Sequence, residues 1–155
     1  MKTLIISCLV CFSTISSFAQ KLKESEVPTA VKSTFSKIFP KATGVKWSKE
    51  SETEFEAEFK NGKSEVSANF NNAGERVVTE TEIKKAELPS LVSATIKKEF
   101  AGYEMEEAEK VEMPGKEMFY EVELEKGEVT YSVQIAADGK VLKKEEKKED
   151  KKEKD

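Results

Sequence analysis

Two rows of glutamates are the residues of this chain whose type and spacing could do chemistry. They fall at every second position of two separate segments: Glu54, Glu56 and Glu58, then Glu121, Glu123 and Glu125. Alternate residues of a β-strand point to the same face, so each row would hold its carboxylates side by side. Such rows could bind a divalent cation, a small ligand or a basic partner, or they could be the solvated face of a half-buried sheet.

The residue inventory excludes most catalytic chemistry. The chain has no histidine, which is the commonest general base and zinc ligand. Its two cysteines, Cys8 and Cys11, lie in the first 19 residues, and its glycines form no phosphate-binding loop. Glutamate pairs could act as acid and base, but glutamates are so frequent here that no pair stands out. We therefore expect no enzyme activity, no cofactor and no metal site.

The N-terminus predicts export. Residues 1–19 begin with Lys2, continue with an uncharged apolar segment and end in Ser17-Phe18-Ala19, a pattern typical of a cleaved signal peptide. A membrane anchor and a lipoprotein are the alternatives, but the apolar run is short for a bilayer and few residues precede Cys8. We expect a periplasmic or secreted protein with no membrane span after signal removal and no cysteine in the mature chain.

Charge further limits the class of partner. The formal net charge is −4, with 26 basic and 30 acidic residues and no basic stripe outside the C-terminus. This balance argues against nucleic acid as a ligand.

Each glutamate row is predicted to belong to a β-hairpin. Apolar residues alternate with the first row, and Asn61-Gly62 follows it as a type I′ turn signal. With those two residues as the loop, Phe59 would face Ser64 and Glu58 would face Glu65, a like-charge pair. The parity of the two strands then places the apolar residues on one shared face.

The second row has the same arrangement. Lys126-Gly127 supplies the turn, so that Leu124 would face Val129. A further tight turn follows each hairpin, at Ala73-Gly74 and at Asp138-Gly139, and leads into one more strand.

Two helices and eight strands are predicted in all. Val27–Phe39 and Leu88–Phe100 each carry an apolar stripe at helical spacing and start beside a proline. Besides the hairpins, the predicted strands are Gly44–Lys49, Glu75–Ile83, Glu106–Met113 and Lys140–Lys144. We expect an α+β two-layer fold, a tandem duplication of a helix followed by four antiparallel strands, with the helices packed on one face of a broad antiparallel sheet.

This organisation defines the predicted domains. Residues 143–155 contain no apolar side chain and are predicted as a charged disordered tail. The divisions are a signal peptide at 1–19, a single domain at 20–142 made of two repeats (about 27–83 and 88–142), and the tail at 143–155.

One aromatic residue is the predicted contact on the glutamate face. Phe119 has the parity of Glu121 and Glu123, opposite to that of its apolar neighbours, and exposed aromatics often anchor partners. The candidate partner-binding residues are Glu54, Glu56, Glu58, Phe119, Glu121 and Glu123. The first hypothesis is a non-enzymatic module that binds a protein of the cell envelope through this face. The alternative is divalent-cation or small-ligand binding at the acidic rows.

Several segments together resemble a known family. VPTAVKSTFSKIFPKATGVKW, LPSLVSATIKKEF, FYEVEL and DGKVL are similar to segments of the PepSY-like exported proteins of Bacteroidetes, which are described as similar in fold to the β-lactamase inhibitor protein. The resemblance implies a periplasmic or outer-surface location in a Gram-negative bacterium and inhibition of a peptidase as one form of binding. The expected open face lacks the aromatic centre of a tight protein interface, which argues against β-lactamase inhibition.

Overall fold

The structure is a computed structural model, and it describes residues 20–147. The signal peptide predicted at residues 1–19 therefore lies outside the described residues. The elements in chain order are β1 (Gln20–Leu22), α1 (Thr29–Ile38), β2 (Ala42–Lys49), β3 (Glu54–Asn61), β4 (Ser64–Asn71), β5 (Arg76–Glu82), α2 (Ser90–Glu99), β6 (Glu104–Glu112), β7 (Phe119–Lys126), β8 (Val129–Ala136) and β9 (Val141–Lys147). A short 3-10 helix precedes each α-helix, at Glu24–Glu26 and Lys85–Glu87.

The strands form one continuous antiparallel sheet in the order β1 to β9. The predicted fold class, a two-layer α+β tandem of a helix followed by four strands, is wrong. The described chain is mostly this nine-stranded sheet, and the two α-helices have only ten residues each. The chain also enters the sheet before the first helix, because Gln20–Leu22, which is not among the eight predicted strands, pairs with β2.

The hairpin registers differ from the prediction by two residues. Phe59 faces Val66 instead of Ser64, and Leu124 faces Tyr131 instead of Val129. The reason lies in the turn: Asn61 is paired, and Gly62, with a φ of 67°, takes the first loop position. Because no other residue type has positive φ within residues 20–147, a type II′ turn fits and a type I′ turn does not.

A shift of two residues preserves the face of each side chain, so the apolar residues still share one face. On the first half of the sheet this face packs against α1, which contributes Val31 and Phe35 to the core. On the second half it packs against α2, which contributes Val92 and Ile96. Both α-helices therefore contribute to the core on the same face of the sheet.

Two glycine turns hold the helices against the sheet. Gly74, in the β4–β5 turn, lies so close to α1 that a β-carbon there would stand 2.6 Å from the carbonyl carbon of Ala30. Gly139, in the β8–β9 turn, lies equally close to α2, because a β-carbon there would stand 2.9 Å from the carbonyl oxygen of Leu91. Thr95 Oγ1 also donates a 2.6 Å hydrogen bond to the carbonyl oxygen of Gly139.

The end of the sheet lies later in the chain than expected. β9 continues to Lys147, so the segment from Lys143 that was expected to be disordered is a strand up to that residue. Its residues alternate between partly buried and exposed along an edge strand that pairs with β8. Residues 148–155 lie outside the described residues. Within residues 20–147, neither helix is long and apolar enough to cross a membrane.

Candidate functional site

The face of the sheet opposite the helices, here called the polar face, carries the predicted glutamates. Glu54, Glu56 and Glu58 lie on β3 and Glu121 and Glu123 on β7, and all but Glu58 are partly buried. The expected like-charge pair of Glu58 and Glu65 does not form, since Glu58 faces Ser67. Their role in binding a partner stays a prediction.

Phe119 lies on the predicted face of the sheet, but its side chain is not exposed as predicted. It lies on β7 with the parity of Glu121, yet it is 9% exposed and packs against Val78 and Val111. The three side chains form a small apolar cluster on the polar face, which sequence alone did not reveal because the partners come from β5 and β6. Phe119 is therefore not an exposed contact.

The pairing of β5, β6 and β7 brings additional glutamates between the two predicted rows. Glu82 lies opposite Glu109, and Glu109 lies opposite Glu121 on the next strand. Glu107 likewise lies opposite Glu123. Like charges directly opposite each other destabilise a sheet. The polar face therefore concentrates carboxylates at its centre instead of alternating them with lysines.

Glu80 is the most buried member of this group. The residue is only 6% exposed. Its cross-strand neighbours are Ser67 on β4 and Val111 on β6. Within residues 20–147 its carboxyl group forms no hydrogen bond and no ion pair. Burial, followed by the nearby charges of Glu121, Glu56 and Glu107, raises the pKa of Glu80 to about 7. A carboxyl group in this position loses hydration without gaining a partner.

Glu109 and Glu107 are perturbed in the same direction. Burial, then the charges of Glu80, Glu107 and Glu121, raises the pKa of Glu109 to about 8, although Lys147 acts in the opposite sense. Burial, followed by the charge of Glu123, raises the pKa of Glu107. Three carboxyl groups at the centre of the sheet thus retain their protons to higher pH than free glutamate does.

Neutral donors and one lysine position the carboxylates around this centre. Ser67 Oγ donates a 2.7 Å hydrogen bond to Glu56 Oε1 on β3. Glu121 accepts hydrogen bonds from Ser132 Oγ at 2.5 Å and from Gln134 Nε2 at 3.0 Å. Lys147 Nζ forms an ion pair with Glu123 Oε2. These contacts orient Glu56 and Glu121 without adding positive charge beside Glu80.

A groove of about 510 Å³ runs over this centre, and we call it the carboxylate groove. Its charged lining residues are Glu56, Glu58, Glu65, Glu80, Glu82, Glu107, Glu109, Lys46 and Lys60. The uncharged lining residues are Thr43, Gly44, Phe59, Val66 and Ser67. Seven glutamates therefore oppose two lysines, one of which, Lys60, already pairs with Glu65 at 3.4 Å. The groove has an excess of negative charge.

The arrangement favours an organic cation over a metal ion. Within residues 20–147 no group of three or more carboxylates could hold a metal ion. Calcium needs six to eight oxygens at about 2.3–2.6 Å from one point. Carboxylates on neighbouring strands, about 4.8 Å apart, instead suit a branched cationic group that reaches two of them.

Sequence reasoning missed Glu80, Glu107 and Glu109. The alternation within β5 was a usable signal, because it gives Val78, Glu80 and Glu82 one common face. The register that brings β5 beside β6 was not predictable, since α2 separates the two strands in the chain.

Comparison with known proteins identifies related folds. A family model described as "Putative beta-lactamase-inhibitor-like, PepSY-like" matches residues 14–67 and 53–143, which together span most of the chain. Among curated proteins no match was found.

Solved structures of the same fold come from Bacteroides. A DUF2874 family protein from Bacteroides ovatus is 25% identical with a TM-score of 0.72, and the match covers 77% of this chain and 86% of that one. A BLIP-like protein from Bacteroides fragilis is 20% identical with a TM-score of 0.70 over the same shares. A putative periplasmic protein from Bacteroides eggerthii is 21% identical with a TM-score of 0.73, covering 77% and 88%.

Proposed function

Because the chain belongs to the PepSY-like, β-lactamase-inhibitor-like family, we propose that it is an exported, non-enzymatic module that binds a protein partner on the polar face of its sheet. A family of inhibitor-like proteins favours binding over catalysis. The residue inventory supports the same conclusion, because the chain has no histidine and its cysteines lie at positions 8 and 11, within the predicted signal peptide.

The single observation that carries the proposal is the carboxylate groove on the face opposite the helices. Both α-helices contribute to the core on the apolar face, whereas the polar face holds seven glutamates around one groove. Crowded, partly desolvated carboxylates lower stability, so their concentration at one place is typical of a functional surface and not of a merely solvated one.

Inhibition of a peptidase or a similar envelope protein is the specific form of binding that the family favours. The Bacteroides fragilis protein of this fold is named BLIP-like. Recognition by the present chain would rest on charge, since Phe119 and Trp47, at 9% and 7% exposure, are buried and offer no aromatic anchor. The periplasm is the proposed location, supported by the predicted signal peptide and by the Bacteroides eggerthii protein.

Site-specific photo-cross-linking tests this function. A photoreactive residue is placed at Glu58 or Ser67 on the polar face and, as matched controls, at Lys37 or Lys97 on the exposed surfaces of the helices. Each protein is irradiated in an envelope extract of the native host. We expect one discrete adduct from the polar-face positions alone. Adducts from the helix positions only, or none from the polar face, would overturn the proposal.

A further inference from the structure

We infer that the carboxylate groove is a receptor for the guanidinium or ammonium group of a basic protein segment, which it holds between Glu80 and Glu109. The inference rests on the proposed function, because it names the chemistry of the partner that the polar face would bind.

The first observation is a carboxyl group without a partner on a residue that is almost fully buried. Glu80 is 6% exposed and has no hydrogen bond or ion pair within residues 20–147. Its carboxyl lines the groove together with Glu56, Glu107 and Glu109. Buried charged groups are normally paired, so an unpaired one that points into a groove indicates a partner that arrives from outside.

The second observation is the row of opposed glutamates beside it. Glu82, Glu109 and Glu121 lie opposite one another across β5, β6 and β7. A lysine or arginine opposite a glutamate would neutralise the charge locally and stabilise the pair of strands. An external cation would relieve this repulsion and would gain affinity from it.

The chain's own cations near the groove lie beside residues other than Glu80, and Lys46, which lines the groove, is opposite Glu58 on the neighbouring strand. Lys147 pairs with Glu123 in a small pocket that Glu107, Glu109 and Glu121 also line, and Lys60 pairs with Glu65. The Arg76 guanidinium, on the same strand as Glu80, donates a 3.2 Å hydrogen bond to Thr79 Oγ1. Within residues 20–147, the ion pairs near the groove therefore involve Glu65 and Glu123 and not Glu80.

The occupant is a side chain of another protein and not a metal ion. Within the described residues the carboxylates form no metal-binding group. A guanidinium presents five donors in a flat fork that can reach carboxylates on adjacent strands, and an ammonium presents three. The chain's own residues 148–155 are a poor occupant, because they contain equal numbers of lysines and acidic residues.

Calorimetry with a hexa-arginine peptide at 150 mM salt tests the inference. The double variant Glu80→Gln/Glu109→Gln removes the two groove carboxylates, and Glu99→Gln/Glu128→Gln removes two exposed glutamates elsewhere as a control with the same net charge. We expect the affinity to fall at least tenfold in the groove variant and less than twofold in the control. Equal losses in the two variants, or no binding by the unmodified protein, would overturn the inference.

Proton release supplies a readout that general electrostatic attraction would not produce. The charges facing Glu80 and Glu109 are Glu56, Glu82, Glu107, Glu121 and, beside Glu109, Lys147. A cation seated among them lowers the pKa of both carboxyls, so binding at pH 7 should release protons into the buffer. Titrations in two buffers of different ionisation enthalpy measure this release. We expect it in the unmodified protein and the control, and binding without release would contradict the inference.

The two proposals can fail separately. Photo-cross-links from the polar face with no peptide binding would leave the proposed function intact and reject the cationic partner. A chain ending at Lys147 should bind the peptide as the full chain does. A tenfold gain would mean that residues 148–155 occupy the groove, and it would overturn the inference of an external occupant.

Discussion

Glu109 lies directly opposite Glu121 on the neighbouring strand, and Glu121 accepts its hydrogen bonds from Ser132 and Gln134, which are neutral side chains. The two glutamates thus lie side by side, and Lys147, which lines the same small pocket, only partly offsets the effect of the neighbouring carboxylates on Glu109. Glu82 likewise lies opposite Glu109, and this crowding makes the centre of the sheet sensitive to pH and receptive to positive charge.

Glu80 should make the protein less stable as the pH rises. Its pKa is about 7 in the folded state and 4.5 as a free side chain, so the folded protein binds more protons between these values. The free energy of unfolding therefore falls as pH increases through this window, and Glu109, with a pKa of about 8, extends the fall to higher pH. The whole shift of Glu80 corresponds to about 3 kcal/mol.

The variant Glu80→Gln tests this dependence. It should match the unmodified protein at about pH 4, below the pKa of the free side chain, and exceed its stability at pH 9 by about 1–3 kcal/mol, since an amide carries no charge to bury. Urea unfolding followed by the fluorescence of Trp47, which is the chain's single tryptophan and buried, measures both. The exposed control Glu99→Gln should keep the pH dependence. A Glu80→Gln variant less stable than the parent at pH 9 would contradict the burial argument.

Gly74 should tolerate no side chain. Gly74→Ala combines a φ of 83° with a β-carbon 2.6 Å from the carbonyl carbon of Ala30, so α1 or the β4–β5 turn must move. We expect a loss of about 2–4 kcal/mol, from positive φ together with steric overlap.

Gly62→Ala is the matched control for this substitution. Gly62 has a φ of 67° but no neighbouring atom within 4 Å of its added β-carbon, so the loss should be about 1–2 kcal/mol. The difference between the two variants in urea unfolding isolates the contact with α1. Equal losses would show that the turn does not hold the helix.

Phe35 should be the strongest single contact between α1 and the sheet. Its ring packs against those of Phe39, Trp47, Phe59 and Phe70, with centroids 5.0–6.2 Å apart. Phe35→Ala should lower the free energy of unfolding by about 3–5 kcal/mol. Leu91→Ala on α2, where the side chain is 56% exposed, should change it by less than about 1 kcal/mol. A comparable loss in both variants would mean that helix propensity, not packing, dominates.

Ser132 should stabilise the protein through Glu121. Ser132→Ala removes a 2.5 Å hydrogen bond to a partly buried carboxylate, and such a bond to a charged group is worth about 1.5–3 kcal/mol. Thr130→Val, on the same strand and face, removes a hydroxyl that is not seen to hydrogen-bond within residues 20–147 and should change stability less. Urea unfolding at pH 7 compares them, and a larger effect at Thr130 would be inconsistent with this geometry.

Alternation was the most informative part of the sequence. Both hairpins, both helices and the burial of Phe59 and Leu124 follow from apolar residues at periods of two and of three to four. Alternation cannot distinguish registers that differ by two residues, because every side chain keeps its face, and so the turn glycines were placed one position too late.

Contacts between distant segments could not be predicted in this way. Gln20–Leu22 forms a strand only because β2 offers an edge, and Phe119 is buried only because Val78 and Val111 come beside it. Glu80 is the clearest case. Its sequence neighbours are polar or exposed, whereas its burial depends on pairing between β5 and β6 across an intervening helix.

Carbon-detected NMR titration of the Glu80 and Glu109 side-chain carboxyls, with and without hexa-arginine, tests the central claim most directly. We expect pKa values of about 7 and about 8 in the free protein and a fall of at least one unit for both when the peptide is bound. Titration of both groups near 4.5, or values unchanged by bound peptide, would show that the groove does not receive a cation.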